Sequence, residues 1–195
     1  MKYWSFFANS LEDGAVLSTV PADGPKANKY RKGKSLKAGY PGIDDAVMCF
    51  DPNYEERLKL YDILDCLDGV VVIHEKVKEL FEAEGINEEF LNVRIWDHLN
   101  RPVSDDYYIF NCLELVDFID MEKSKVAFNA FFPDRIKNIS KLSVKQNVSS
   151  DAKIFAPINM TTQLFIDDTL KKALEEANIT GFKTFAADGW DGLPV

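Results

Sequence analysis

Short runs of apolar and β-branched residues recur along this chain, and turn-forming residues separate them. Such runs, bounded by Gly, Pro, Asn, Asp and Ser, are typical of β-strands. They predict strands at residues 3–7, 46–50, 90–96, 107–116, 126–132, 142–144, 153–158 and 182–186. The middle of the chain is therefore expected to be rich in strands.

A helical spacing interrupts this pattern at residues 54–67. The apolar positions there are Leu58, Tyr61, Leu64 and Leu67. This spacing is close to the 3.6-residue period of an amphipathic helix. The Asp-Pro-Asn sequence at 51–53 is a plausible start signal, and Gly69 is a plausible stop. The pattern predicts a helix here.

One segment of the chain resembles another. VVVIHEKVKELFEAEGI (residues 70–86) aligns without gaps with QLFIDDTLKKALEEANI (residues 163–179). Each copy predicts a strand, an amphipathic helix and a terminator, and a further strand follows. His74 and Asp167 lie at the strand-to-helix corners, where Asp167 is a candidate N-cap. The two strand–helix–strand units reflect either duplication or chance reuse, and in both cases we interpret them as scaffold.

These elements together predict an α+β fold. We expect a largely antiparallel sheet with helices packed on one side, including the two similar strand–helix–strand units. A length of 195 residues fits a single domain. Its least regular part is residues 8–45, where closely spaced Gly and Pro predict long loops. Six basic residues between positions 26 and 37 are interpreted as a solvated loop rather than a nucleic-acid site.

Composition and charge narrow the function classes. The chain is 46% apolar and 12% aromatic, which is enough for a substantial core. Its net charge of −9 disfavours nucleic acid as a partner and favours a basic protein. No segment reads as a signal peptide or a membrane span, so a soluble cytoplasmic protein without a membrane partner is expected. The three cysteines, which are widely spaced in apolar contexts, are expected to be buried free thiols.

Few residues of the sequence suggest a catalytic site. Asp117 and Asp120, with Glu122 nearby, could form the carboxylate pair of a small hydrolase. Cys112 with His74 or His98 has the residue types of a nucleophilic pair, but it lacks the strand–turn–helix context. No phosphate-binding glycine motif or zinc-ligand spacing occurs, so we expect no cofactor and no metal. A binding protein is favoured over the hydrolase and over a purely structural module.

Three segments in order resemble a known family. They are DDYYIFNCLELVDFIDMEKS (residues 105–124), KIFAPI (153–158) and LFIDDTLKKALEEANITGFKTF (164–185). In this order and spacing they resemble immunity protein family eleven of bacterial polymorphic toxin systems, over roughly residues 50–186. Two positions depart from the family pattern, since Ala156 replaces a common Arg and Asn178 a usual Gly. Asn tolerates the left-handed conformation of a helix end, so the second departure is compatible with the fold.

The resemblance implies a non-enzymatic antidote, which remains in the cytoplasm of the producing bacterium. Such a protein binds and neutralises a cognate secreted toxin by occluding its active or substrate-binding surface. The acidic composition suggests that this toxin is basic. The candidates for toxin contact are two acidic pairs in turn-like contexts: Asp44, Asp45, Asp105 and Asp106. The sequence leaves self-association open.

Overall fold

The protein is mainly β-structure, with 35% strand and 14% helix. The computed structural model describes residues 2–9 and 12–193. The strands are β1 (Tyr3–Ala8), β2 (Val16–Leu17), β3 (Val47–Cys49), β4 (Ile63–Cys66), β5 (Val71–His74), β6 (Glu89–Trp96), β7 (Pro102–Asn111), β8 (Leu115–Val116), β9 (Lys125–Phe128), β10 (Ile136–Lys141), β11 (Ile154–Pro157), β12 (Leu164–Asp167) and β13 (Phe182–Ala186). The helices are α1 (Glu75–Ala83) and α2 (Asp168–Glu176), and short 3-10 turns occur at Ala27–Lys29, Lys37–Gly39 and Pro52–Tyr54.

The predicted α+β architecture is wrong. In place of helices layered on one sheet, the described residues form a nearly closed barrel-like sheet, a second sheet and a two-stranded hairpin, with only two α-helices. The expected helix over residues 54–67 is absent, because a single 3-10 turn leads instead toward β4. Leu64 is buried in the sheet while Leu58 and Leu67 are exposed, so their helical spacing was coincidental.

Two compact units make up the chain. We call Ala8–Leu113 with Leu174–Phe182 the barrel unit, and residues 2–7, Glu114–Ala173 and 183–193 the sheet unit. Within the described residues, neither helix is long and apolar enough to cross a membrane.

The barrel unit is built on six strands in the order β2-β4-β5-β7-β6-β3. β5 and β6 both pair antiparallel with β7, and β3 pairs parallel with β6. A bridge between Leu17 and Phe50 brings the last strand back to the first and nearly closes the sheet. Inward side chains such as Val72, Val93 and Ile109 are fully buried, since in a small barrel they fill the interior.

A buried carboxylate attaches the basic loop to the barrel. Glu89 on β6 is 2% exposed. It accepts hydrogen bonds from Ser35 Oγ at 2.6 Å, Leu36 N at 2.8 Å and Asn111 Nδ2 at 2.8 Å. Asn111 Nδ2 also donates to the Lys34 carbonyl at 2.9 Å. Residues 34–36 are therefore held on the sheet, and the loop is more than the solvated segment expected from its composition.

The sheet unit contains the order β13-β1-β12-β11-β8. β12 pairs antiparallel with β1 and with β11, while β11 pairs parallel with β8. Aromatic rings form its core, with Phe118 in contact with Tyr3, Phe155 and Phe165. A separate hairpin of β9 and β10 packs one face against this core, where Ile136 and Ile139 are buried.

Both predicted strand–helix–strand segments are present as elements, but not as adjacent strands. In the barrel unit β7 lies between β5 and β6, and in the sheet order β1 lies between β12 and β13. The N-cap prediction is confirmed, because Asp167 Oδ1 accepts the Leu170 N–H at 2.7 Å. At the equivalent corner, His74 Nδ1 accepts the Lys76 N–H at 3.1 Å.

A glycine after α2 lies in a closely packed part of the barrel unit. Gly181 has a φ of +86°, and an added Cβ would overlap the Ile63 carbonyl oxygen and approach Tyr61 Cβ. Gly181→Ala should lower the free energy of unfolding by at least about 2 kcal/mol, because it adds steric overlap to left-handed backbone strain. Urea denaturation followed by tryptophan fluorescence measures this. Gly85→Ala is the matched control, with a φ of +77° and no atom within 4 Å, and an equal loss in both variants would contradict the packing argument.

The Glu89 network predicts a pH dependence. Burial opposes ionisation of Glu89, but the hydrogen bonds from Ser35, Leu36 and Asn111 outweigh it and hold the pKa of this carboxyl below its ordinary value. Ionised Glu89 therefore stabilises the fold fully above the unfolded-state pKa of about 4.3, and this stabilisation is lost as pH falls through the lower folded-state pKa.

Glu89→Gln should lower the free energy of unfolding by about 1–3 kcal/mol at neutral pH, because the amide cannot satisfy the same three donors. The difference from wild type should narrow below about pH 4.3, which denaturation at a series of pH values would show. Glu79→Gln, at an exposed site on α1, is the control. A difference that stays constant at all pH values would refute the role of the ionised carboxyl.

Candidate functional site

The four aspartates proposed for toxin contact all lie in the barrel unit. Asp44 and Asp45 lie in a turn before β3, and Asp105 and Asp106 lie on β7. All four are exposed. β3 and β7 are both neighbours of β6 in the sheet. The strand order therefore brings the two acidic pairs toward the outer face of one strand.

A β-bulge determines how the second acidic pair is presented. Val93 on β6 pairs with Tyr107, but Ile95 pairs with Ser104, so the register shifts between them. Two residues of β7, Asp105 and Asp106, consequently oppose the single residue Arg94. Bulges of this type redirect side chains and increase local twist.

Arg94 joins the two acidic pairs. Its Nη1 lies 2.7 Å from Asp44 Oδ1, and its Nε lies 3.3 Å from Asp105 Oδ1. The side chain of Asp44 is 80% exposed and that of Asp105 is 58% exposed, whereas Arg94 is 31% exposed. Within residues 2–9 and 12–193, no basic side chain lies within ion-pair distance of Asp45 or Asp106. The cluster, which we call the acidic face (Asp44, Asp45, Arg94, Asp105 and Asp106), therefore retains a net negative charge.

An open groove of about 530 Å³ adjoins the acidic face. It is lined by Lys37, Tyr40, Pro41, Ile43, Phe90, Leu91 and Asn92. Ile43 directly precedes Asp44 in the chain, and Asn92 precedes Arg94 on the outer side of β6. Tyr40 Oη donates to the Asn92 carbonyl at 2.9 Å and fixes the loop across the strand. The surface thus combines exposed carboxylates with a partly apolar, aromatic groove.

The acidic charge of the whole chain is concentrated in the barrel unit. That unit has 12 Lys and Arg against 22 Asp and Glu, a net charge of −10. The sheet unit has 11 against 10, a net charge of +1. An electrostatic field of this asymmetry favours encounter of one unit with cationic surfaces.

Sequence reasoning missed Arg94 and the groove. Arg94 lies within an apolar strand, and only its period-two position beside Asn92 and Trp96 indicates that it faces outward. Tyr40 and Ile43 lie in the loop-rich region, where the sequence indicated only Asp44 and Asp45 as candidates. Their association with Asp105 depends on strand order, which the sequence pattern did not provide.

The carboxylates considered for hydrolysis are engaged in structural roles in the sheet unit. Asp120 accepts hydrogen bonds from Lys123 Nζ at 2.8 Å and from the Glu122 and Lys123 N–H groups, both at 3.2 Å. The Lys123 hydrogen bond, together with these backbone bonds, holds the pKa of Asp120 below its ordinary value despite partial burial. Asp117 forms an ion pair with Lys145. A shallow groove of about 490 Å³ contains Asp120 and Glu122, but the lowered pKa of Asp120 is opposite to what a general acid requires.

The cysteine and histidine candidates are likewise explained by structure. Cys66 and Cys112 are buried, Cys49 is partly buried, and none of the three forms a disulfide bond. Burial raises the pKa of the Cys66 thiol to about 12, so it is protonated at neutral pH. His74, considered as a base for Cys112, uses its Nδ1 to cap α1. Among the residues that the structure describes, no three His, Cys, Asp or Glu side chains are grouped to hold a metal ion.

Comparison with known proteins gives the family. No curated protein matches the chain. Residues 6–187 match the model of the Immunity protein family (Imm11), which extends the resemblance seen in the motifs into the first half. The two departures from the motifs are accommodated, since Ala156 is buried and Asn178 has a left-handed φ of 52°. The chain belongs to the Imm11 family of immunity proteins.

Proposed function

We propose that this protein is a non-enzymatic antidote of a bacterial polymorphic toxin system. It binds a cognate secreted toxin in the cytoplasm of the producing cell and neutralises it by occluding the active or substrate-binding surface. Family membership supports the toxin-neutralising role. The observation that carries the choice of surface is the acidic face beside an aromatic groove, on a unit of net charge −10.

The acidic face suits a basic toxin surface. Carboxylates around a partly apolar centre resemble the anatomy of protein interfaces, where a desolvated core is bordered by a charged rim. A neutralising complex requires a sizeable contact, commonly about 1,600 Å² in total, so the groove and acidic face form only part of it. Long-range attraction accelerates encounter, whereas apolar contacts in the groove slow dissociation.

Arg94 contributes to this surface by organising it. By pairing with Asp44 and Asp105, it reduces repulsion between carboxylates from different segments. Because these pairs are largely exposed, their contribution to folding stability is small. Their value lies in placing Asp44 and Asp105 in a defined geometry before a partner arrives, which reduces the entropy lost on binding.

Complex formation with the product of the adjacent gene tests the proposed function directly. The two purified proteins should form a stable complex by gel filtration and calorimetry, and the complex should lack the toxin's activity. Absence of a complex would refute the proposal. A complex that retains full toxic activity would refute neutralisation by occlusion.

Neutralising the acidic face should slow association. Replacing Asp44, Asp45, Asp105 and Asp106 by Asn should lower the association rate constant by about tenfold at low salt and flatten its salt dependence, with a smaller change in dissociation. Stopped-flow or surface-binding kinetics over a salt series measures both rate constants. The matched control neutralises four exposed acids of the same unit outside the acidic face: Glu12, Asp23, Glu55 and Glu56. An equal effect in both variants would assign the effect to net charge rather than to this face.

A further inference from the structure

The hairpin of β9 and β10 exposes an aromatic tip. We call residues 125–141 the aromatic hairpin. Phe131 is 88% exposed, Phe132 is 58% exposed and Phe128 is 49% exposed. Three exposed aromatic side chains lie within five residues, and exposed apolar surface concentrated in this way is characteristic of interaction sites on soluble proteins. These three phenylalanines belong neither to the family motifs nor to the acidic face.

The root of the aromatic hairpin is fixed. Ile136 and Ile139 are buried in the core of the sheet unit, and the Ile136 N–H donates to the Asn159 carbonyl at 2.9 Å. β9 pairs antiparallel with β10 through two register shifts. The hairpin is therefore anchored on one face while its tip remains in solvent.

The tip is also ordered locally. Asn129 Oδ1 accepts hydrogen bonds from the Phe131 N–H at 2.9 Å and the Phe132 N–H at 3.3 Å. The Asn129 N–H donates to the Arg135 carbonyl at 2.8 Å and closes the loop. The aromatic side chains are thus displayed by a defined backbone, which lowers the entropy that binding must overcome.

The charge of the aromatic hairpin is opposite to that of the barrel unit. It carries four basic residues and one acidic residue. Lys125 and Lys141 are directly opposite each other in the strand pairing, which is unfavourable for like charges. Among the described residues, no acidic side chain lies within ion-pair distance of Lys125, Lys137 or Lys141. An acidic surface on a partner would relieve this repulsion.

We propose that the aromatic hairpin is a second toxin-binding element, whose phenylalanines enter an apolar pocket bordered by carboxylates on the cognate toxin. This inference rests on the proposed function. It adds a second, acidic surface on the toxin to the basic toxin surface that meets the acidic face. The exposed aromatic side chains match the composition of interface centres, in which aromatic residues are enriched and charged residues are depleted, so the lysines are expected at the rim of the contact. The hairpin supplies buried contact area, and so it governs mainly the dissociation rate.

Other occupants fit less well. An anionic bilayer would attract the lysines but would repel a chain with a net charge of −9. A second copy of this chain could offer its acidic barrel unit, but a contact between unlike surfaces is heterologous and tends toward open assemblies. Each of these occupants is an outcome of the experiment.

The test uses the full chain and the purified product of the adjacent gene. Phe131→Ser with Phe132→Ser should weaken the complex by about 30-fold or more, mainly through faster dissociation. Lys125→Gln with Lys137→Gln should instead slow association. Because both phenylalanines are exposed, thermal unfolding of the variant should match wild type. Leu58→Ser, at a side chain 54% exposed in the barrel unit, is the matched control and should leave affinity unchanged.

Several results would overturn the inference. Wild-type affinity in the Phe131→Ser, Phe132→Ser variant would refute the hairpin's role while leaving the proposed function intact. Failure of the wild-type protein to bind the product of the adjacent gene would refute both. If the wild-type protein alone sedimented as an oligomer and the variant as a monomer, the hairpin would be assigned to contact between copies. Binding of wild type, but not of the variant, to phosphatidylglycerol vesicles would assign it to a membrane surface.

Discussion

The proposed binding surface of the barrel unit depends on the hydrogen bonds that the buried Glu89 carboxylate accepts. This carboxylate satisfies donors from Ser35, Leu36 and Asn111 and so ties an otherwise irregular loop to β6. The Tyr40 hydroxyl makes the next attachment to the same strand, at the Asn92 carbonyl. Between these points the chain has little freedom, and it continues into the turn that carries Asp44. A loop rich in glycine and proline thereby becomes one wall of a groove, at the cost of burying a charge that only hydrogen bonding makes tolerable.

The acidic excess and the most exposed phenylalanines lie on different units. The barrel unit has a large acidic excess, whereas the sheet unit is nearly neutral and presents lysines and phenylalanines on one hairpin. Electrostatic attraction acts over about a Debye length and influences encounter, while aromatic contact acts only at short range and influences lifetime. The proposed capture and retention of a toxin would use both properties. Placing them on separate elements allows each to change without disturbing the other.

Local signals predicted local structure well. Strands at residues 90–96 and 182–186, the cap at Asp167 and the left-handed Asn178 all follow from side-chain pattern and backbone preference. The helix over residues 54–67 failed because tertiary pairing of β4 with β2 and β5 outweighed a chance leucine spacing. The α+β assignment failed for a related reason. The predicted amphipathic helices were taken to form a layer, but only two α-helices occur among the described residues. Strands that were not predicted, such as β4 and β10, add to the β-structure.

The sequence by itself determined the family, because the motifs and their order can be recognised without a structure. It also determined the acidic composition that favours a basic partner. It also identified Asp44, Asp45, Asp105 and Asp106 as exposed acidic pairs. Tertiary structure alone decided that these pairs meet, because their association requires β3 and β7 to flank β6 and a bulge to set two aspartates against Arg94. Strand order and register depend on hydrogen bonds between segments far apart in the chain, and such pairings leave no periodic trace in a single sequence.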